Sequence, residues 1–142
     1  MKIFVTLAVI AVVGFAGCVR LIPSDPARWN VDPSKAYVWD NGGGWNEVVP
    51  QTSGAVLRIP AADGLLARLD AIAMATPRTT RLAGSVAEGR ITWITRSALW
   101  GFPDYTTAES LPDGVYIHAR LRFGKSDLGV NAARLRDWQS KL

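Results

Sequence analysis

Cysteine and histidine are almost absent from this chain of 142 residues, which carries one of each, Cys18 and His118. An intramolecular disulfide is therefore impossible, and a zinc site of several Cys and His ligands cannot be assembled. The sequence also contains no nucleophile elbow, P-loop or metal-ligand spacing. We expect no metal and no cofactor, and a hydrolase that uses His118 as its base is the least supported class of function.

A strong charge of either sign is also missing. Sixteen Lys and Arg residues stand against twelve Asp and Glu residues, which gives a formal net charge of +4. No basic cluster with interleaved stacking aromatics is visible, so we do not expect nucleic acid as a partner. A composition of 49% hydrophobic and 20% charged residues is typical of one globular domain.

The chain does have an apolar N-terminus, with no charged residue between Lys2 and Arg20. This run is at the lower limit of a membrane-spanning helix, which needs about 20 residues. It also suits a signal peptide, because Ala16 and Gly17 are small residues directly before Cys18. The arrangement resembles a bacterial lipoprotein box, in which Cys18 is lipidated and becomes the first mature residue. The alternative is an uncleaved anchor helix.

Three segments are expected: a leader or anchor over residues 1–22, a strap over 23–54 and an α+β domain over 55–142. The strap is predicted to be irregular, because it is rich in proline and contains the triplet Gly42–Gly44. Its tryptophans are costly to leave in water, so we expect them to pack onto the domain. A position at the membrane interface or on a ligand stays open. These tryptophans are Trp29, Trp39 and Trp45.

Apolar periodicity predicts the order β-α-β-β-β-β-α in the domain. The predicted strands cover residues 55–59, 79–85, 89–97, 105–111 and 115–123, and the helices cover 61–75 and about 131–142. This order favours an α+β fold in which two helices cover one face of a five-stranded antiparallel sheet. It is shared by TATA-binding-protein-like and helix-grip-like topologies. Asn131 is the expected N-cap of the final helix.

Several cations fall on the polar positions of the predicted strands, and His118 joins them. Guanidinium forks suit carboxylates and phosphates, so one sheet face is a candidate surface for an anion or an acidic partner. The alternative is a solvated face whose arginines pair with Glu88, Glu109 and Asp113. The candidate binding residues are Arg90, Arg96, His118, Arg120 and Arg122, with Arg58 on the same face.

Two motifs resemble the signature stretches of an uncharacterised family, domain of unknown function 1499. The first covers residues 96–104 and ends in Phe-Pro-Asp, and the second covers 120–131 and contains Ser-Asp-Leu-Gly-Val-Asn. The resemblance extends roughly from Pro23 to Leu142. It implies no activity, because the family has no established chemistry. The motif-loop residues are Phe102, Pro103, Asp104, Ser126, Asp127, Gly129 and Asn131.

The second motif has two interpretations. Its backbone amides at a helix start, together with Lys125, could bind an anion. The favoured interpretation is structural, in which Ser126 and Asp127 accept hydrogen bonds from loop amides. The expected partners of Asp104 and Asp127 are Arg96 and Arg120.

The function expected from these features is that of a non-catalytic interaction module, tethered to a membrane on its periplasmic or other extracytoplasmic side. Such a module could be an accessory or assembly factor of a membrane complex, so its partners would be the membrane and a membrane protein. The alternative is a carrier that holds a small molecule or lipid between sheet and helices or on the arginine-lined face. A short final helix covers little of the sheet, which makes a large cavity a weaker expectation.

Overall fold

The computed structural model describes residues 1–36 and 43–142, which form an α+β domain preceded by a long apolar helix. The helices are α1 (Lys2–Leu21), α2 (Pro26–Trp29), a 3₁₀ turn (Pro33–Lys35), α3 (Leu65–Ala75) and α4 (Val130–Gln139). The strands are β1 (Val49–Gln51), β2 (Gly54–Pro60), β3 (Thr79–Ser85), β4 (Arg90–Arg96), β5 (Pro103–Leu111) and β6 (Gly114–Leu121).

All the strands of the described residues join one antiparallel sheet in the order β1-β2-β6-β5-β4-β3. The sheet has six strands, so the prediction of five was wrong. The additional strand, β1, lies in the segment expected to be irregular. It is only three residues long and contains Pro50, so it shows no alternation. Proline is tolerated there because β1 is an edge strand.

The predicted number of helices was also too low, because the described part of the chain contains four α-helices. The two that were predicted are α3 and α4, and both pack on one face of the sheet. Trp93 of β4 and Trp138 of α4 meet edge to face with ring centres 5.7 Å apart. Both tryptophans are almost fully buried, as are Leu57, Leu69 and Leu135 around them. Side chains therefore fill the space between the sheet and these helices.

The opposite face of the sheet is covered by the segment that contains α2 and the 3₁₀ turn. Trp29 is 9% exposed and stacks on Tyr105, with ring centres 3.8 Å apart and planes 10° apart. Pro33 is buried in the 3₁₀ turn, which contacts β5 and β6. Trp45 stays partly exposed against Tyr116. The predictions for Trp39 and Gly42 lie outside the described residues.

One end of the sheet, here called the loop end, gathers four connections: residues 52–53, 76–78, 97–102 and 122–129. Helix α1 ends against it. The Phe15 ring lies 6.3 Å from that of Trp100 and 6.1 Å from that of Phe102, measured between ring centres. Arg20 donates a hydrogen bond of 3.0 Å to the carbonyl oxygen of Leu99. The apolar helix is long enough to cross a bilayer or to act as a signal sequence, and its C-terminal turn contacts the domain.

Candidate functional site

The candidate arginine-lined face is the sheet face that lies under the strap. Strands β4, β5 and β6 are neighbours, and their register places Tyr105 opposite Arg120 and Thr107 opposite His118. Since alternate residues of a strand share a face, Arg122 lies on this side too. The sheet thus brings most of the predicted binding residues together on one surface, but the surface is not open.

The carbonyl oxygen of Trp29 is the central acceptor on this face. It receives hydrogen bonds from a terminal nitrogen of Arg120 and from the hydroxyl of Thr107, the latter at 3.0 Å. Arg120 also donates from its other terminal nitrogen to the Thr107 hydroxyl and to the backbone oxygen of His118, each at 3.2 Å. The strap backbone therefore occupies the position that an external anion would take at Arg120.

His118 lies beside this contact and is largely withdrawn from solvent. Burial, and secondarily the positive charge of Arg120, lower the pKa of His118 to about 4. Burial also lowers the pKa of Arg120 to about 10, although the Tyr105 side chain acts in the opposite direction. At neutral pH the imidazole is therefore neutral and the guanidinium is charged.

Arg122 and Arg90 also contact the strap. Arg122 donates to the carbonyl oxygen of Pro23 at 2.9 Å and to the Tyr105 hydroxyl at 3.0 Å. Arg90 forms an ion pair of 2.7 Å with Glu109, and this partner raises the pKa of Arg90. The expected pairing with Glu109 is present. Glu88 and Asp113 instead accept hydrogen bonds from Ser85 and Tyr116.

Arg96 is separated from this group because it lies at the loop end. One of its terminal nitrogens donates to the carbonyl oxygen of Gly101 at 3.0 Å. Together with Arg20 and Arg78 it lines an open cavity of about 280 Å³. The sequence analysis included Arg96 among the candidate residues. It missed Arg20, which lies in the apolar leader, and Arg78, which lies in a turn.

The Phe-Pro-Asp motif links the loop end to α4. Phe102 contacts Phe123, with ring centres 6.0 Å apart, and Pro103 is buried at the start of β5. Asp104 pairs with Arg134 of α4 at 3.1 Å, so the expected pairing of Asp104 with Arg96 or Arg120 was wrong. Burial raises the pKa of Asp104, and the charge of Arg134 acts against that rise.

The second motif forms a tightly bonded turn before α4. Ser126 accepts a hydrogen bond from the Leu128 amide at 3.2 Å. The two carboxylate oxygens of Asp127 accept from the Gly129 and Asn131 amides, each at 3.0 Å. The side chain of Asp127 is thus engaged within its own loop, and it pairs with neither Arg96 nor Arg120 within ion-pair distance.

The expectation that Asn131 caps α4 was therefore wrong. The helix begins at Val130, preceded by Gly129 with a positive φ of 82°. Asn131 lies one residue inside the helix and is fully buried, and its side-chain oxygen accepts from Arg134. Asp127 performs the capping role because it lies before the helix, where its carboxylate oxygens accept from the amides two and four residues ahead.

Leu128, in the middle of this turn, is a feature that the sequence analysis missed. Its side chain is 91% exposed and its backbone has a positive φ of 53°. Such a backbone conformation is strained for a residue other than glycine. The sequence signal that could have found it is a large apolar residue enclosed by Ser-Asp and Gly in a polar loop.

The described residues contain no group of three or more metal-ligating side chains. Cys18 is an exposed free thiol on α1, three residues from the end of that helix. The structure thus places the predicted lipidation residue directly before the loop end.

Comparison with known protein families gives a match for the sheet-containing part of the chain. No significant match was found among curated proteins or among solved structures. A family model described as "Protein of unknown function (DUF1499)" matches residues 45–142, which is more than half of the chain. The match includes both motifs and the whole sheet, whereas α1, α2 and the 3₁₀ turn precede it. The chain therefore belongs to the DUF1499 family.

Proposed function

We propose that this protein is a non-catalytic interaction module that is tethered to a membrane and holds a partner protein beside that membrane through its loop end. The observation that carries the proposal is Leu128, a large apolar side chain that is 91% exposed on a turn of strained backbone. The hydrogen bonds of Ser126 and Asp127 hold the turn in that conformation. A side chain presented on a preorganised loop is suited to fill a pocket on a partner.

Other exposed apolar side chains lie at the same end of the sheet as Leu128. Leu99 is 73% exposed, Val130 is 52% exposed and Phe123 is 39% exposed. Single exposed apolar residues are common on protein surfaces, but several at one end of a domain are typical of an interaction site. Because α1 ends at the same place, the partner we propose is a membrane protein, for which this chain would act as an accessory or assembly factor.

Both interpretations of the N-terminus are compatible with this arrangement. An uncleaved α1 would anchor the loop end directly, through the contacts of Phe15 and Arg20. Cleavage before Cys18 would remove Phe15 but leave a lipidated Cys18 two residues before Arg20. In the lipoprotein case the domain faces the periplasm or another extracytoplasmic space, which is the side we propose.

A carrier function has less support. Trp93, Trp138 and Leu69 fill the interior between the sheet and helices. A surface cavity of about 380 Å³ lies beside α3 and α4, next to Ala71 and Asp137, but it is an open groove. The arginine-lined face is closed by the strap, so a ligand there would have to displace Trp29.

The proposal is tested by purifying the tagged full-length chain from its native membranes in mild detergent and quantifying the associated proteins by mass spectrometry. Leu128→Gly removes the apolar side chain and suits the positive φ. We expect it to lower recovery of a specific partner at least tenfold. Val86→Ala is the control variant, because Val86 is 43% exposed in the turn between β3 and β4, at the opposite end of the sheet. It should leave recovery unchanged. Equal recovery with Leu128→Gly would rule out this loop as the docking surface.

A further inference from the structure

Three arginines from distant parts of the chain meet at the loop end. Arg20 comes from the last turn of α1, Arg78 from the turn between α3 and β3, and Arg96 from the end of β4. All three line the same cavity of about 280 Å³, together with Ser97. This tri-arginine cavity lies outside the strap-covered sheet face.

The guanidiniums of the cavity are held by backbone oxygens. Arg20 donates to Leu99, Arg78 donates from Nε to the oxygen of Arg96, and Arg96 donates to Gly101, each at 3.0 Å. Among residues 1–36 and 43–142, none of the three arginines has an Asp or Glu within ion-pair distance. Neutral carbonyls position the cations without neutralising them, so their mutual repulsion favours an anion between them.

Arg78 occupies a backbone conformation that a side chain disfavours. Its φ is 60°, and it follows Pro77 in a turn closed by a hydrogen bond of 3.2 Å from the Thr79 amide to the Thr76 oxygen. In such a turn the third position normally carries Gly or Asn. An arginine therefore adds backbone strain at this position, and it contributes a guanidinium to the cavity.

The position of the cavity identifies the most accessible anion. Arg20 closes an apolar helix, Ile3–Leu21, that is long enough to cross a bilayer, and basic residues at such a helix end lie at the depth of lipid phosphates. Trp100 is part-buried beside Phe15, and Leu99 is 73% exposed next to it. A tryptophan and an exposed leucine beside the helix end are typical of a surface in contact with the interfacial layer.

We propose that the tri-arginine cavity binds a phosphate group, and that in the membrane this group is the headgroup phosphate of a phospholipid beside α1. Guanidinium groups bind phosphate oxygens through paired N–H donors, and the two terminal nitrogens of Arg78 have no hydrogen bond to a protein acceptor among the described residues. Cleavage before Cys18 would retain all three arginines, with Arg20 two residues after the lipidated Cys18. It orients the domain against the bilayer and does not depend on the proposed protein partner.

The test measures binding to the full-length chain in a non-ionic detergent. The probes are phosphatidylglycerol, a diacylglycerol with the same acyl chains and inorganic phosphate, with bound lipid counted by native mass spectrometry. We expect phosphatidylglycerol to bind and diacylglycerol not to bind. The combination of Arg20→Gln with Arg78→Gly should weaken phosphatidylglycerol binding roughly tenfold or more. The combination of Arg68→Gln with Arg136→Gln, which also removes two positive charges but at exposed sites on α3 and α4, should change it less than twofold.

Unchanged binding in the double variant, or equal binding of diacylglycerol, would overturn the phosphate site. Inorganic phosphate that binds as tightly as the lipid, with the same loss in the double variant, would overturn the headgroup assignment in favour of a soluble phosphate compound. Arg78→Gly alone should leave the thermal midpoint the same or higher, which separates loss of binding from loss of folding. Leu128→Gly should keep lipid binding, so this site and the partner surface can fail independently.

Discussion

The guanidinium of Arg120 lies 5.3 Å from the centre of the Trp29 ring and donates a hydrogen bond to the carbonyl oxygen of the same residue. The two residues are 91 positions apart, yet this contact joins the strap to the middle of the sheet. The ring and the carbonyl together stabilise a cation that has been withdrawn from water. The part of the strap around Trp29 is therefore structural for the domain, although it precedes the family match.

Trp29→Ala should destabilise the protein by about 3 kcal/mol, because it removes a buried ring that stacks on Tyr105. Urea unfolding followed by far-UV circular dichroism measures the loss. Val31→Ala changes an exposed residue of the same segment and should cost less than about 0.5 kcal/mol. Equal effects of the two substitutions would show that the strap does not bind the sheet as described.

The burial of His118 predicts that the protein loses stability at acid pH. Its pKa is about 4 in the folded protein, below the ordinary value of 6.5, so the unfolded chain binds the proton first. The contribution of neutral His118 to the free energy of unfolding is therefore fully present above about pH 6.5. It is lost as the pH decreases towards 4, by up to about 3 kcal/mol.

The control for this prediction is His118→Gln, because the carboxylates also titrate at acid pH. The variant should show a smaller loss of stability than the parent between pH 6.5 and 4. Parallel pH profiles of the two proteins would contradict the burial of a neutral imidazole.

Asp104 and Arg134 should behave as a coupled pair, since their side chains are only 16% and 10% exposed. Arg134→Met leaves a carboxylate in a desolvated site and should cost about 3 kcal/mol or more at neutral pH. The double variant Asp104→Asn with Arg134→Met should recover part of that loss. A double-mutant cycle from denaturant unfolding measures the coupling, and simple additivity would contradict the pairing.

The motif loop is predicted to be held by Asp127. Asp127→Ala removes the hydrogen bonds to the Gly129 and Asn131 amides and should cost about 1–2 kcal/mol. Ser126→Ala removes one bond to an exposed amide and should cost less. The order of the two thermal midpoints tests this assignment. A larger loss for Ser126→Ala would contradict it.

The elements with a regular period could be predicted from the sequence. In β6, apolar Val115 and Ile117 alternate with polar His118 and Arg120 because one face meets the helices and the other meets the strap. The short edge strand β1 could not be predicted, since three residues around Pro50 carry no period. The cap of α4 could not be predicted either, because Asp127 and Asn131 are both capping residue types and the sequence does not show that the helix begins at Val130.

The site was predicted only in part, because its contacts join distant residues. The polar positions of the strands correctly place Arg120 on one sheet face. The carbonyl oxygen of Trp29 reaches this face because the strap folds back over the sheet. No local sequence pattern indicates that arrangement. The tri-arginine cavity was missed for the same reason, since Arg20 and Arg78 meet Arg96 only in the folded chain.

The most direct test of the account is photo-crosslinking from position 128 in native membranes, with a photoreactive amino acid replacing Leu128 in the full-length chain. A control reporter replaces Val86, which is 43% exposed in the turn between β3 and β4, at the opposite end of the sheet. The account predicts a protein adduct of one defined mass from position 128 and none from position 86. Lipid adducts alone from position 128, or the same adducts from both positions, would contradict a partner-binding loop end.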